Sequence, residues 1–152
     1  MKKCSDIMTR DVVACYSANT IVEVAQLMKT EDIGPVLIVD NEQSKTLVGV
    51  VTDRDIVLKV IAGGQDVNTT RVGDVMSKKL VTCRADDDVD VAMQAMAQFQ
   101  LRRIPVVGEN MKLLGIISQA DVATRVDAPE KTAEVVKEIS QNQVFAKDAL
   151  GG

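Results

Sequence analysis

The sequence predicts an α/β fold built from two copies of one β-α-β-β-α unit, followed by a C-terminal helix. Three observations predict it. Residues 6–57 recur as residues 74–123, and a repeat that fills most of a 152-residue chain decides its architecture. Short β-branched runs alternate with segments of helical spacing in each copy, the pattern of strands and helices in one α/β layer. Each copy has roughly fifty residues, a size at which an independent core is marginal, so the copies are expected to pack on each other. The repeat register is 68 residues from Asp6/Asp74 through Met8/Met76, Cys15/Cys83, Met28/Met96 and Val39/Val107. It drops to 66 at Gly49/Gly115, because the first copy has two extra residues in its turn.

In the first copy, Val12–Tyr16 reads as a short strand. Thr20-Ile-Val-Glu23 has the spacing of a capping box, in which hydroxyl and carboxylate satisfy each other's free amides. Ile21, Val24, Ala25 and Met28 follow at helical spacing and predict an amphipathic helix over 21–30. Gly34-Pro35 breaks it. Val36–Val39 is a continuous β-branched run too short for a helix, and so a buried strand. Asn41–Lys45 is a polar turn, Leu47–Thr52 a second buried strand, and Asp53–Ile61 a second helix closed by Gly63-Gly64. The second copy repeats the order. Val81–Arg84 is its first strand, and Asp88 stands in the place of Thr20 as the cap of a helix carrying Val89, Ala92, Met93 and Met96. Ile104–Val107 and Leu113–Ser118 are strands, and Gln119–Val126 is a helix. Pro129 starts a final helix whose Thr132, Val135, Val136 and Ile139 share one face; it packs on its own domain or docks a partner. The expected boundaries are 1–62 for the first repeat, 63–73 for the link, 74–126 for the second repeat and 127–152 for the C-terminal helix and tail.

The chain is 46% hydrophobic but carries only three aromatics, Tyr16, Phe99 and Phe145, so its core is built from Val, Ile, Leu, Met and Ala. Its net charge is −4, which argues against nucleic-acid partners. No apolar run reaches membrane-span length, and the N-terminus lacks the apolar stretch of a signal peptide. Cys4, Cys15 and Cys83 are odd in number and lack CxxC spacing, which reads as a reduced cytoplasmic protein. Cys15 and Cys83 read as small buried hydrophobes and Cys4 as an exposed terminal thiol. The absence of His removes the commonest metal ligand and general base, so no catalytic or metal residue is assigned. Met28, Met93 and Met96 read as core filler. Asp86-Asp87-Asp88 reads as a turn plus cap, and Lys78-Lys79 as solvated charge.

The chemistry concentrates in two segments, Gly49-Val-Val-Thr52-Asp-Arg-Asp55 and Gly115-Ile-Ile-Ser118-Gln-Ala-Asp121. In each, an apolar strand ends in a hydroxyl residue and a carboxylate follows three residues later, in the first helical turn. One reading is two well-capped helices. The other is a ligand site: free amides at the junction suit a phosphate, and the carboxylate can accept from two neighbouring hydroxyls of a ribose. The residue pattern alone leaves both open.

These segments, the lead-in motifs Asp6-Ile-Met-Thr9 and Asp74-Val-Met-Ser77, the Met-bearing helices and Ile104-Pro-Val-Val107 together resemble a tandem pair of cystathionine-β-synthase (CBS) domains over residues 6–123. The resemblance implies two repeats packed as a pseudo-twofold disc. It also implies two clefts for adenosine-containing ligands: AMP, ADP or ATP first, S-adenosylmethionine or NAD second, with no required cofactor. In each cleft the Gly-to-Asp segment of one copy meets the first strand of the other. Carried onto this chain, cleft A combines Val50, Thr52, Arg54 and Asp55 with Leu80, Val81, Leu101 and Arg103. Asp55 would hold the ribose and Thr52, Arg54 and Arg103 would face phosphate. Cleft B combines Ile116, Ser118, Ala120 and Asp121 with Val12, Val13, Ile33 and Pro35. Arg54 against Ala120, and Arg103 against Pro35, put the phosphate cations in cleft A alone and make cleft B the weaker site.

The resemblance implies a regulatory, signal-transducing module acting through a homodimer or an unknown effector protein. A structural adaptor with vestigial clefts is the first alternative and a small nucleotide-directed enzyme the second. Larger enzymes such as inosine monophosphate dehydrogenase carry the pair as an insert, but the repeats leave no room for a catalytic barrel here.

Overall fold

The computed structural model describes residues 2–126 and 133–140. It contains two three-stranded sheets, one for each copy. The first sheet has β1 (Ala14–Tyr16), β2 (Val36–Val39) and β3 (Leu47–Val51), with β2 in the centre, parallel to β1 and antiparallel to β3. The second repeats the order with β4 (Cys83–Arg84), β5 (Arg103–Val107) and β6 (Leu113–Ser118), and β4 is parallel to β5. The central strands are buried along their length, as continuous Val-Leu-Ile-Val and Ile-Pro-Val-Val runs require.

The helices are α1 (Cys4–Ile7), α2 (Ile21–Glu31), α3 (Asp53–Asp55), α4 (Val89–Phe99) and α5 (Gln119–Arg125), and residues 133–140 are also helical. The Thr20 capping box at the start of α2 forms: the hydroxyl accepts from the Glu23 amide, and the Glu23 carboxylate accepts from the Thr20 amide at 3.3 Å. The expected cap at Asp88 does not form through its side chain. Lys3 takes that carboxylate in a 2.9 Å ion pair, and the cation binds it more strongly than a neutral amide would. The expected helix over 53–61 is α-helical only to Asp55. Residues Ile56–Ile61 are π-helical, with the Ala62 amide reaching back five residues to the Val57 carbonyl. Gly64, at a φ of +73°, ends this segment in a conformation that favours a residue without Cβ.

The chain divides into two compact units, each drawing on both copies. One runs from Val13 to Leu80 and adds Glu109–Leu113. Its core gathers Cys15, Ile21, Val24, Met28, Val36, Ile38, Val51, Ile56 and Val60 with Val72 and Val75. Within it, Ser77 of the second copy's lead-in segment pairs with Val50 of β3, exchanging backbone hydrogen bonds of 2.8 and 3.0 Å. The other unit holds the residues up to Val12, Val81–Gly108 and the chain from Leu114 onward. Here Thr9 of the first copy's lead-in segment pairs with Ile116 of β6 through bonds of 2.8 and 2.9 Å. Its core includes Cys4, Ile7, Met8, Met93, Met96, Ile104, Ile117 and Val122.

Val135 and Ile139 of the last helical segment are buried in that same core, so this segment packs on its own unit. The expected helix start at Pro129 and the face residue Thr132 lie outside the described residues. Cys4 is not the exposed thiol expected. It is fully buried, because α1 lies against the turn after β4, with the Cys4 amide 2.9 Å from the Asp87 carbonyl.

Gly49 and Gly115 make room for the two lead-in segments. A Cβ at Gly49 would meet the Met76 sulfur and the Ser77 carbonyl, and one at Gly115 would stand 2.8 Å from the Thr9 carbonyl and 2.7 Å from the Met8 sulfur. Overpacking of this kind costs about 1–3 kcal/mol. Gly115→Ala and Gly49→Ala are therefore expected to lower stability by that amount in urea titrations, with Gly115→Ala the more costly because rigid backbone crowds it more closely.

Candidate functional site

Each unit contains one strand-to-helix junction carrying a hydroxyl and a carboxylate. In the Val13–Leu80 unit, β3 delivers Thr52 to the cap of α3. The Thr52 hydroxyl accepts from the Asp55 amide at 3.2 Å, and Asp55 Oδ2 accepts from the Thr52 amide at 3.0 Å. Asp55 Oδ1 faces Lys59 Nζ at 3.4 Å, and the same ammonium donates to the Val75 carbonyl at 3.2 Å. In the other unit, Ser118 accepts from the Asp121 amide at 3.1 Å and Asp121 Oδ2 accepts from the Ser118 amide at 2.9 Å. Arg125 stands where Lys59 stood, 3.7 Å from Asp121 Oδ1, and donates to the Ile7 and Met8 carbonyls at 3.0 and 3.3 Å. Both copies thus build the reciprocal cap. Both also set a cation four residues on that ties the carboxylate to the backbone of the other copy's lead-in segment.

The copies differ at the carboxylate itself. The Thr9 hydroxyl donates to both oxygens of Asp121, at 3.2 and 3.3 Å. Ser77, at the matching position of the repeat, instead accepts from the Lys79 amide at 3.3 Å. The Asp121 side chain is 9% exposed and that of Asp55 is 23% exposed. Asp121 is the single buried charged residue among the described residues. Burial of Asp55 opposes its ionisation, but the Thr52 amide and the Lys59 ammonium outweigh it and hold the carboxyl below its ordinary value.

The structure brings Val50, Thr52, Arg54, Asp55 and Leu80 into one unit, together with Val13, Ile33 and Pro35. Val12, Ile116, Ser118, Ala120 and Asp121 share the other, where Val81, Leu101 and Arg103 also lie. Arg54 is exposed on the first turn of α3, and Arg103 is exposed at the start of β5. The chain just before Arg103 is fixed to the second junction, where the Arg102 carbonyl accepts from the Gln119 amide at 2.9 Å. The expected sites omitted Thr9 and Ser77. Their signal was present in the repeat: both close the Asp-x-Met-hydroxyl lead-in motif, in the same 68-residue register.

The remaining candidates are structural. Cys15 is buried, which pushes its thiol up to about 11, with Glu23 adding to the effect. Cys4 and Cys83 are hydrogen-bond partners in the second core, and the thiol of Cys83 is raised. Met28, Met93 and Met96 are buried in the cores. Among the described residues, no group of three or more acidic, Cys or His side chains is placed to hold a metal ion, and no helix is long and apolar enough to cross a membrane.

Comparison with known proteins supplies a family. The CBS domain model matches twice, at residues 4–62 and 72–128. The protein YlbB of Bacillus subtilis (strain 168) is 38% identical over 141 residues, 93% of each chain. A crystal structure of Hypoxic Response Protein I with two coordinated zinc ions is 33% identical, with a TM-score of 0.72 over 83% of this chain and 100% of that one. CBSX2, solved in complex with AMP, has a TM-score of 0.66 over 81% of this chain and 94% of that one; at 23% identity the likeness is one of fold.

A carboxyl held low in the folded state contributes stability that is present above its unfolded value, about 3.9, and is lost as the pH falls through the folded value. The difference in melting temperature between the unmodified chain and Asp55→Asn should be constant above about pH 5 and shrink steadily below about pH 4. Melting curves followed by circular dichroism across that range check it.

Proposed function

The chain belongs to the CBS-domain family, and on that premise we propose that it is a regulatory module sensing an adenosine-containing ligand, with AMP, ADP or ATP the leading ligands. The observation that carries this reading is the state of Asp55. Its two oxygens use one position each, on the Thr52 amide and on Lys59, and a carboxylate offers about four acceptor positions. The positions left suit the two hydroxyls of a ribose. Thr52 accepts from the Asp55 amide and keeps its own proton to donate. Arg54, exposed one residue before the carboxylate, supplies a cation for phosphate. Val50 and Leu80, both half-buried in the same unit, offer apolar surface to the base.

CBSX2, which shares the fold, was solved with AMP, and that supports the ligand class. Signalling would follow from differential affinity. A ligand at Asp55 shifts the conformational balance only as far as it prefers one arrangement over another, and the output then passes to a dimer mate or an effector protein. YlbB, covered over 93% of its length, is a relative of the same size, which favours a free-standing module over an enzyme fragment.

Calorimetric titration with AMP is the test. Asp55→Ala should weaken binding at least tenfold, since it removes charge-assisted hydrogen bonds of about 1.5–3 kcal/mol each. Arg54→Ala should weaken AMP by about tenfold and leave adenosine nearly unchanged. A flat thermal-shift response to AMP, ADP, ATP, NAD and S-adenosylmethionine would instead support a structural adaptor, because a ligand at 100 times its dissociation constant stabilises by about 2.7 kcal/mol. Loss of nucleotide that tracks the purified protein would support the enzyme reading.

A further inference from the structure

We infer that Thr9 decides which copy of the repeat accepts a ribose: its hydroxyl occupies the Asp121 carboxylate in the place a ligand hydroxyl would take, and so closes the second junction. The inference rests on the nucleotide reading above and adds to it a residue that sets site selectivity.

The two junctions form a controlled comparison within one chain. Their caps match, with the Thr52 and Ser118 amides on Oδ2 of Asp55 and Asp121 at 3.0 and 2.9 Å. Their cations match, with Lys59 and Arg125 on Oδ1 at 3.4 and 3.7 Å. The backbones of the lead-in segments match too, since Ser77 and Thr9 each pair with the residue after the strand glycine, Val50 and Ile116. What differs is one hydroxyl. Thr9 shares its proton between both oxygens of Asp121, whereas the Ser77 hydroxyl is engaged with the Lys79 amide.

Burial gives that contact its consequence. A carboxylate 9% exposed needs hydrogen bonds from the protein, and the Thr9 hydroxyl supplies one. A cis-diol arriving at Asp55 finds acceptor positions open. At Asp121 it must first displace Thr9, exchanging one hydroxyl contact for another, so that much of the gain is cancelled. The selectivity this produces is separate from the absence of a phosphate cation, Ala120 standing where Arg54 stands, and it applies equally to uncharged adenosine.

The test is calorimetry with AMP and with adenosine on the full chain. The unmodified chain should bind AMP at one site, and Asp55→Ala should abolish that binding. Adding Thr9→Val to Asp55→Ala should restore adenosine binding, at least tenfold tighter than to Asp55→Ala alone, and further replacement by Asp121→Asn should remove it again. Asp55→Ala with Thr9→Ser, which keeps the hydroxyl, should stay closed. Thr9→Ala provides a second hydroxyl-free variant, and circular dichroism verifies that each variant is folded. Adenosine affinity unchanged within twofold in both hydroxyl-free variants would overturn the role of Thr9. No AMP binding by the unmodified chain would overturn the nucleotide reading, and this inference with it.

Discussion

Ser77 pairs with Val50 and Thr9 with Ile116, and in both cases the strand residue just before the pair is a glycine. Much else hangs on this exchange. It carries the lead-in segment of one copy onto the third strand of the other. There the buried sulfur of Met8 and the half-buried sulfur of Met76 fill the space a side chain at the glycine would have taken. It also fixes the lead-in backbone beside the junction. As a result the carbonyls of Ile7, Met8 and Val75 come within reach of Arg125 and Lys59, and through those cations within reach of the two carboxylates. The caps and the cations that hold Asp55 and Asp121 are downstream of where a strand has no Cβ.

The junctions are economical in another respect. The hydroxyl and carboxylate that terminate the strand and start the helix are the groups that would meet a ligand. A reciprocal cap uses one lone pair of the hydroxyl and one position on the carboxylate. The fold therefore holds these side chains in fixed rotamers without exhausting them. Pre-organisation of this kind lets a small module bind with little ordering cost. The two readings left open by the sequence, helix capping and ligand site, are compatible uses of the same atoms.

The repeat made most of the fold legible. Strands β2, β3, β5 and β6 and helices α2 and α4 follow the apolar patterns closely, because each buries a face whose periodicity is written in Val, Ile, Leu and Met. The junction residues were legible for the same reason, since duplication set Thr52 beside Ser118 and Asp55 beside Asp121. What escaped were features settled by tertiary partners. Asp88 has the composition of a cap, but a lysine 85 residues away claims its carboxylate. Cys4 has a terminal position, but α1 folds it into a core. The switch to π-helix after Asp55 has no marker in the sequence. Thr9 and Ser77 look alike as letters, and only the structure separates the hydroxyl that reaches a carboxylate from the one that turns to its neighbour's amide.

The interleaving of the units bears on how such a chain could have arisen. Residues up to Val12 complete the unit built around the second sheet, while Ser77 completes the one built around the first. A solitary repeat would carry a third strand with an unfilled glycine notch and a lead-in segment with no strand to join. Two such repeats would satisfy each other by exchanging those segments, in the manner of a domain swap, before any linker joined them. On this view the fused gene made permanent a partnership that the unfused ancestor already required. Fusion also released the two halves from having identical side chains, which is the freedom that Thr9 and Ser77, or Arg54 and Ala120, now express.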